Sequence, residues 1–241
     1  MDVLIVGAGA VGRWVGETLD ATVAYADVDR STAESAAAQT PDAQAVDLDG
    51  ADTYDVVAVA VPMRAARSVI REQADRATAA LIDFTGSMTE PLATMDEAAE
   101  GLERASFHPL FAPEHAPGRI AKSLGQGGPL VDRITRAFVS AGNTIVPVEA
   151  DVHDDAMGTI QGRVHAAILA FGLAADPVPE DLATPVYEEL QALRERVTSG
   201  PPGVYADIQA TFDGAAELQA AAEKLAAADR EEFEALYEDA G

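Results

Sequence analysis

The chain has 241 residues, enough for one large domain or two modest ones, and its 48% hydrophobic content can fill a substantial core. It has no cysteine, which excludes disulfides and thiolate chemistry, and its four histidines show no metal-ligand spacing, so no metal is expected. With 41 acidic against 16 basic residues, a formal net charge of −25, the surface repels nucleic acid and anionic membranes alike.

Asp2-Val3-Leu4-Ile5-Val6 reads as a short buried strand, with no room for a secretory leader before it, so a cytoplasmic protein is expected. Gly7-Ala8-Gly9-Ala10-Val11-Gly12 follows at once, and a second apolar strand at 23–26 ends on Asp27. Each part has a task in a dinucleotide-binding strand–helix–strand unit. Gly7 permits the tight turn, Gly9 lets the backbone approach a pyrophosphate, and Gly12 lets the helix pack against the strand. The helix N-terminus, with Ala10 and Val11 in its first turn, turns free N–H groups and a positive dipole end toward the phosphates. Asp27, about twenty residues after the first glycine, is placed to accept hydrogen bonds from the adenosine ribose diol. A carboxylate there repels a 2′-phosphate, so NAD is favoured over NADP. Arg30 is the feature that keeps NADP as the alternative.

Residues 45–48 are a weak strand candidate. Residues 54–61 are a strong buried strand, and Val61 and Pro62 at its end are assigned to the cofactor side. A helix is predicted over 63–77, a strand over 80–84, a turn at Thr85-Gly86-Ser87 and a helix over 90–103. A short strand at 105–107 enters His108-Pro109. The Gly/Pro-rich stretch 112–128 reads as a loop, with at most a short strand around Ile120. A helix over 130–140 and a strand over 144–148 complete the alternation, which predicts a parallel, doubly wound sheet. From Asp151 onward strands vanish, and helical patterns cover 151–174, 180–198 and 202 to the end. The fold class is therefore α/β: a Rossmann-type parallel sheet over 1–149, followed over 150–241 by an all-helical domain. The helix from His153 to Phe171 is too apolar for a solvated surface, so the helical domain is expected to form a homodimer. A small-molecule substrate is expected in the cleft between the domains, outside the carboxyl ends of the strands.

Ser87 and His108 each follow a strand at its carboxyl end, on the cofactor rim. A histidine there can accept a proton from a substrate hydroxyl as hydride leaves the same carbon. His165 lies in the apolar helix, where a satisfied interior histidine is the plainer reading. His153 reads as part of a helix N-terminal turn with Asp151 and Asp154, and His115 as a surface residue. Arg194 and Arg196 end a helix, where the dipole favours cations; either is also able to clamp a carboxylate.

Taken together these residues resemble the prephenate dehydrogenase family. The matching parts are the glycine fingerprint, Asp83-Phe84-Thr85-Gly86-Ser87, Phe107-His108-Pro109-Leu110-Phe111, His153-Asp154, His165, and Arg196 followed by Pro202-Gly203-Val204-Tyr205-Ala206-Asp207-Ile208-Gln209. The resemblance implies NAD-dependent oxidative decarboxylation of prephenate to 4-hydroxyphenylpyruvate, or of arogenate to tyrosine, in tyrosine biosynthesis. It implies His108 as hydrogen-bond acceptor for the C4 hydroxyl and Ser87 as the residue that orients it. It further implies His165 as a substrate contact and Arg196 as the holder of a carboxylate. Two departures stand out: Met88-Thr89 replaces a lysine common after the serine turn, and Arg163-Val164 replaces a usual leucine-proline pair. The competing class is a non-catalytic NAD(H)-sensing protein. A reductase of the 3-hydroxyacid type is disfavoured, because it would use a lysine in the helical domain, where only Lys224 occurs.

The acidic residues are spread along the chain, as on a halophilic surface, where concentrated salt shortens the Debye length to about 3 Å at 1 M and screens the self-repulsion. The protein is expected to lose structure on dialysis from molar KCl into dilute buffer. Circular dichroism across a KCl series checks this, and a melting temperature indifferent to salt refutes it.

Overall fold

Buried on both faces, a parallel strand needs nearly continuous apolar sequence, and the first element, β1 (Asp2–Val6), has it: Val3, Leu4 and Ile5 are fully buried. The computed structural model describes residues 1–241, which form two compact units, Met1–Asp154 and Asp155–Gly241. The division falls inside a helix, at 154/155, where the sequence reading places it at 149/150.

In the first unit β1 is followed by α1 (Ala10–Thr18), β2 (Thr22–Ala26), α2 (Arg30–Gln39) and a two-residue β3 (Gln44–Ala45). Then come β4 (Tyr54–Val59), α3 (Met63–Gln73), β5 (Ala77–Asp83), α4 (Thr89–Ala98) and β6 (Glu103–Pro109). β7 (Arg119–Gln126), α5 (Pro129–Ser140), β8 (Thr144–Pro147) and the start of α6 (Ala150–Met157) complete it. The eight strands lie in the order β3-β2-β1-β4-β5-β6-β7-β8. From β3 to β6 every pairing is parallel, so the carboxyl ends of β1, β2, β4, β5 and β6 share one edge, and the order reverses between β1 and β4.

The sheet is not wholly parallel, which corrects the sequence expectation. β7 runs antiparallel to β6, with His108 opposite Ala121, and β8 pairs parallel to β7. The link from β6 to β7 holds little more than the single turn Pro113–His115, too short for the crossover that a parallel return needs. β7 also occupies much of the stretch expected to be loop. Only three of its eight residues are buried, and Gly125 and Lys122 interrupt any apolar alternation, so the hydrophobic pattern is silent there. The helix ends differ as well: α3 stops at Gln73, before a three-residue turn, and α4 at Ala98.

Above β5 and β6 the core is aromatic. Phe84 and Phe107 stack with centroids 5.4 Å apart, and Phe138 bridges them to Trp14. No helix is long and apolar enough to cross a membrane.

The second unit continues α6 through a π-helical turn, Gly158–Arg163, into α7 (Val164–Ala174), then α8 (Pro185–Thr198), α9 (Pro202–Phe212), α10 (Gly214–Ala227) and α11 (Arg230–Asp239). Glycine is required where α10 begins: a Cβ on Gly214 would lie 2.1 Å from the Gly162 carbonyl carbon. Several large apolar side chains of this unit face solvent, Leu173 at 90% exposure among them.

Asp83 ends β5 fully buried. Its Oδ1 accepts from the Thr85 N–H (2.9 Å) and hydroxyl (2.7 Å), while Oδ2 has no partner. Burial outweighs those bonds and pushes its pKa up to about 6, so the fold favours the neutral acid. That contribution to stability is complete below the unfolded value near 3.8 and is lost as pH rises through 6. Asp83→Asn keeps the acceptor and removes the charge. It should therefore stabilise the protein at pH 8 by on the order of 2–3 kcal/mol, with the gain shrinking toward zero by pH 4. Urea unfolding in molar KCl at the two pH values measures this, and a pH-independent difference contradicts it.

Candidate functional site

At the carboxyl end of β1 the glycine loop has the geometry its spacing predicts. Gly7 has φ +97°, donates its N–H to Ala26 O at 2.8 Å, and sits so close to β4 that a Cβ would lie 2.3 Å from Ala60 O. The same contact brings Val61 against the turn. A Cβ on Gly12 would collide with Gly7 O at 1.9 Å, so α1 packs on β1 only with glycine there. Gly9, the N-cap of α1, is different: its φ is −67° and a Cβ would meet no protein atom within 4 Å. Space beside Gly9, at a helix N-terminus, is what a pyrophosphate requires.

Asp27 is held rather than mobile. Its Oδ2 accepts the Ala8 N–H at 2.8 Å and its Oδ1 the Asp29 N–H at 3.0 Å, leaving lone pairs on both oxygens for a ribose diol. Arg30 is engaged by Glu34 and Asp47, so its charge is countered on the spot. Between the loop and α2 lies a cavity of about 310 Å³ lined by Gly9, Ala10, Arg13, Ser31 and Thr32. These residues fit a dinucleotide that carries no 2′-phosphate.

The reacting end lies along the same edge of the sheet. His108, seven per cent exposed, points its Nδ1 at His153 Nε2 across 2.9 Å. His153 Nδ1 in turn meets Asp154 Oδ1 at 2.8 Å. Asp154 also accepts the backbone N–H groups of Met88 (2.9 Å, Oδ1) and Thr89 (3.0 Å, Oδ2), at the start of α4. Burial by itself would raise the Asp154 pKa, but its bonds from His153, Thr89 and Met88 bring it below the ordinary carboxylate range. Burial and the neighbouring His153 push the His108 pKa down to about 3, against the opposing pull of Asp154, so the ring is neutral at ordinary pH. Asp154, as a carboxylate, can only accept, so His153 Nδ1 donates to it.

Ser87 is buried beside this chain, at the turn after β5, and its carbonyl lies 3.1 Å from Thr85 Oγ1. The hydrogen-bond partner of the His108 imidazole is His153. His153 does lie in the N-terminal turn of α6, but that reading did not include its contact with His108. The adjacent His153-Asp154 pair was visible in the sequence. Its meeting with His108, 45 residues away, was not.

In the helical unit His165 is half-buried at the start of α7, its ring edge-on to Tyr205 with centroids 5.0 Å apart. Its Nδ1 is buried without a partner, as are Gln161 Oε1 and Gln209 Oε1, and burial lowers the His165 pKa. A satisfied interior histidine it is not. Arg196 lies in the last turn of α8 with its side chain exposed. Arg163, the departure noted in the sequence, is paired with Glu217.

The two glycines separate folding from binding. Gly9→Ala should leave the melting temperature unchanged yet weaken dinucleotide binding at least tenfold, whereas Gly12→Ala should lower the melting temperature itself. Thermal melts with NADH fluorescence titrations decide, and Gly9→Ala binding as tightly as the unsubstituted chain rules the cradle out.

Comparison with known proteins agrees with this geometry. The family profile described as prephenate dehydrogenase, nucleotide-binding domain, matches residues 13–124. A 4-amino-4-deoxyprephenate dehydrogenase of Streptomyces pristinaespiralis is 32% identical over 88% of this chain and 78% of its own length. A probable arogenate/prephenate dehydrogenase of Methanocaldococcus jannaschii is 26% identical over 67% of this chain, which spans 40% of that protein. Among solved structures, the Aquifex aeolicus prephenate dehydrogenase in complex with hydroxyphenyl propionate and NAD+ superposes with a TM-score of 0.74 over 99% of this chain and 94% of that one. At 15% identity this shows a shared fold. With a glycine turn and a buried imidazole on one sheet edge, and a relative this similar along most of its length, the chain belongs to the prephenate dehydrogenase family of oxidoreductases.

Proposed function

We propose that the protein catalyses the NAD-dependent oxidative decarboxylation of prephenate to 4-hydroxyphenylpyruvate. The observation that carries this reading is the His108 imidazole, buried so that its cation is disfavoured and engaged at Nδ1 by His153, on the edge that also bears the glycine cradle. NAD is the cofactor: Gly7, Gly9, Gly12, Ala10 and Val11 cradle its pyrophosphate, Asp27 takes the ribose, and Val61 and Pro62 flank the turn. When bound, it supplies the hydride acceptor.

His108 Nε2 accepts the hydrogen bond of the substrate's C4 hydroxyl and holds that proton as the C4–H bond breaks. The C1 carboxylate then leaves as CO2, its bonding pair enters the ring, and the proton returns to the phenolic oxygen. Aromatisation provides the driving force, so the chain's task is alignment and custody of one proton. Ser87, in the turn after β5, is a further contact for the hydroxyl. His165 and Arg196 are the contacts for the ring and a carboxylate, and the apolar side chains exposed on the helical unit support a homodimer.

A second reading has a specific observation behind it. The 32%-identical relative is a 4-amino-4-deoxyprephenate dehydrogenase, and an acceptor nitrogen serves a C4 amine as it serves a hydroxyl. Arogenate, which differs in its side chain, is the third substrate to compare.

The test is NADH formation in molar KCl with prephenate, arogenate and 4-amino-4-deoxyprephenate in turn. Prephenate should give the highest kcat/KM. NAD binding without turnover of any of the three would instead favour a dinucleotide sensor. His108→Asn should lower kcat at least about a hundredfold, the scale of a general base, and leave NAD affinity unchanged. Arg196→Ala should mainly raise KM, and an unchanged KM removes it from the site.

A further inference from the structure

We propose that His153 and Asp154 are positioning residues for the proton step at His108, holding its ring in the tautomer whose Nε2 carries the lone pair. This rests on the reading of His108 as the acceptor. An imidazole can present either nitrogen, and which one is bare is set by the bond the other makes. Here that other nitrogen, Nδ1, is 2.9 Å from His153 Nε2. A second histidine is ambivalent in the same way, so it fixes nothing until its own far side is fixed. Asp154 Oδ1, 2.8 Å from His153 Nδ1, does that: a carboxylate only accepts, so Nδ1 must carry the His153 proton. With a single proton on the His153 ring, its Nε2 is an acceptor and His108 Nδ1 donates to it. The rings stand at 78° to one another, with centroids 5.1 Å apart, an edge-on arrangement that directs nitrogen to nitrogen.

The carboxylate does a second thing. It accepts the Met88 and Thr89 N–H groups, the residues directly after Ser87. One side chain therefore sets the imidazole tautomer and secures the turn carrying the rim serine. His153 is two per cent exposed, so water has little access to compete for its nitrogens. The logic is that of a buried carboxylate–imidazole pair in hydrolases, where losing the carboxylate leaves the wrong tautomer and costs about 10⁴ in kcat; here one more ring stands between.

The experiment compares His153→Ala with His153→Gln, since a glutamine Oε1 can reach the place of Nε2 and accept from His108. His153→Ala should lower kcat at least tenfold with KM and NAD affinity within about twofold of the unsubstituted enzyme, and His153→Gln should recover most of that loss. Undiminished kcat in His153→Ala overturns the proposal. So does a His153→Gln variant that melts like the unsubstituted enzyme yet is as slow as His153→Ala. Should His153→Ala not fold, ¹⁵N-histidine spectra of the intact protein decide: His108 should show a protonated Nδ1 and a bare Nε2, and the opposite tautomer refutes the assignment. The spectra do not depend on turnover, so a fully active His108→Asn enzyme would remove His108 as the acceptor while leaving the tautomer assignment to be judged on its own.

Discussion

The Asp154 carboxylate accepts three hydrogen bonds, two from backbone N–H groups at the start of α4 and one from the His153 ring. Through those bonds the turn after β5, the last residues of β6 and the first turn of α6 are tied into one rigid corner. A half-buried carboxylate is tolerable only because it is so fully bonded; stripped of those donors it would favour the neutral acid. The same bonds keep it charged, and a charged acceptor is what the histidine chain needs at its inner end.

Burial acts with opposite consequences on the two titratable groups nearest this corner. For His108 it disfavours the cation and keeps a bare nitrogen available. For Asp83 it disfavours the anion and raises the pKa to about 6, while Asp154 is held below the ordinary carboxylate range. The two carboxylates are pushed apart by burial, complete for Asp83, and by hydrogen bonds, which engage both oxygens of Asp154 but leave one Asp83 oxygen unpartnered.

The cofactor end works by exclusion instead of charge. Gly7 and Gly12 leave no volume for a side chain, while Gly9 leaves volume that the protein itself does not use. Asp27, pinned by two backbone donors, and Arg30, occupied by two carboxylates, then bias the adenosine end against an extra phosphate.

Much of this was written into the chain locally. The Asp2–Val6 strand, the glycine spacing, Asp27 and the long apolar run of β4 follow from short-range pattern, because a buried parallel strand and a phosphate-binding turn constrain neighbouring residues directly. His108 was legible for the same reason, as a histidine at a strand's carboxyl end. β7 was not, since an edge-side strand with polar and glycine positions has no periodicity to betray it, and its direction depends on the short link before it. Nor was the His108–His153–Asp154 chain, whose members are separated by 45 residues and meet only because the sheet order returns α6 to the end of β6. Sequence alone determined which residue types stand at the ends of which strands. Only the tertiary structure decided which nitrogen faces which oxygen, because hydrogen-bond direction is a property of atoms brought within 3 Å and not of their spacing along the chain.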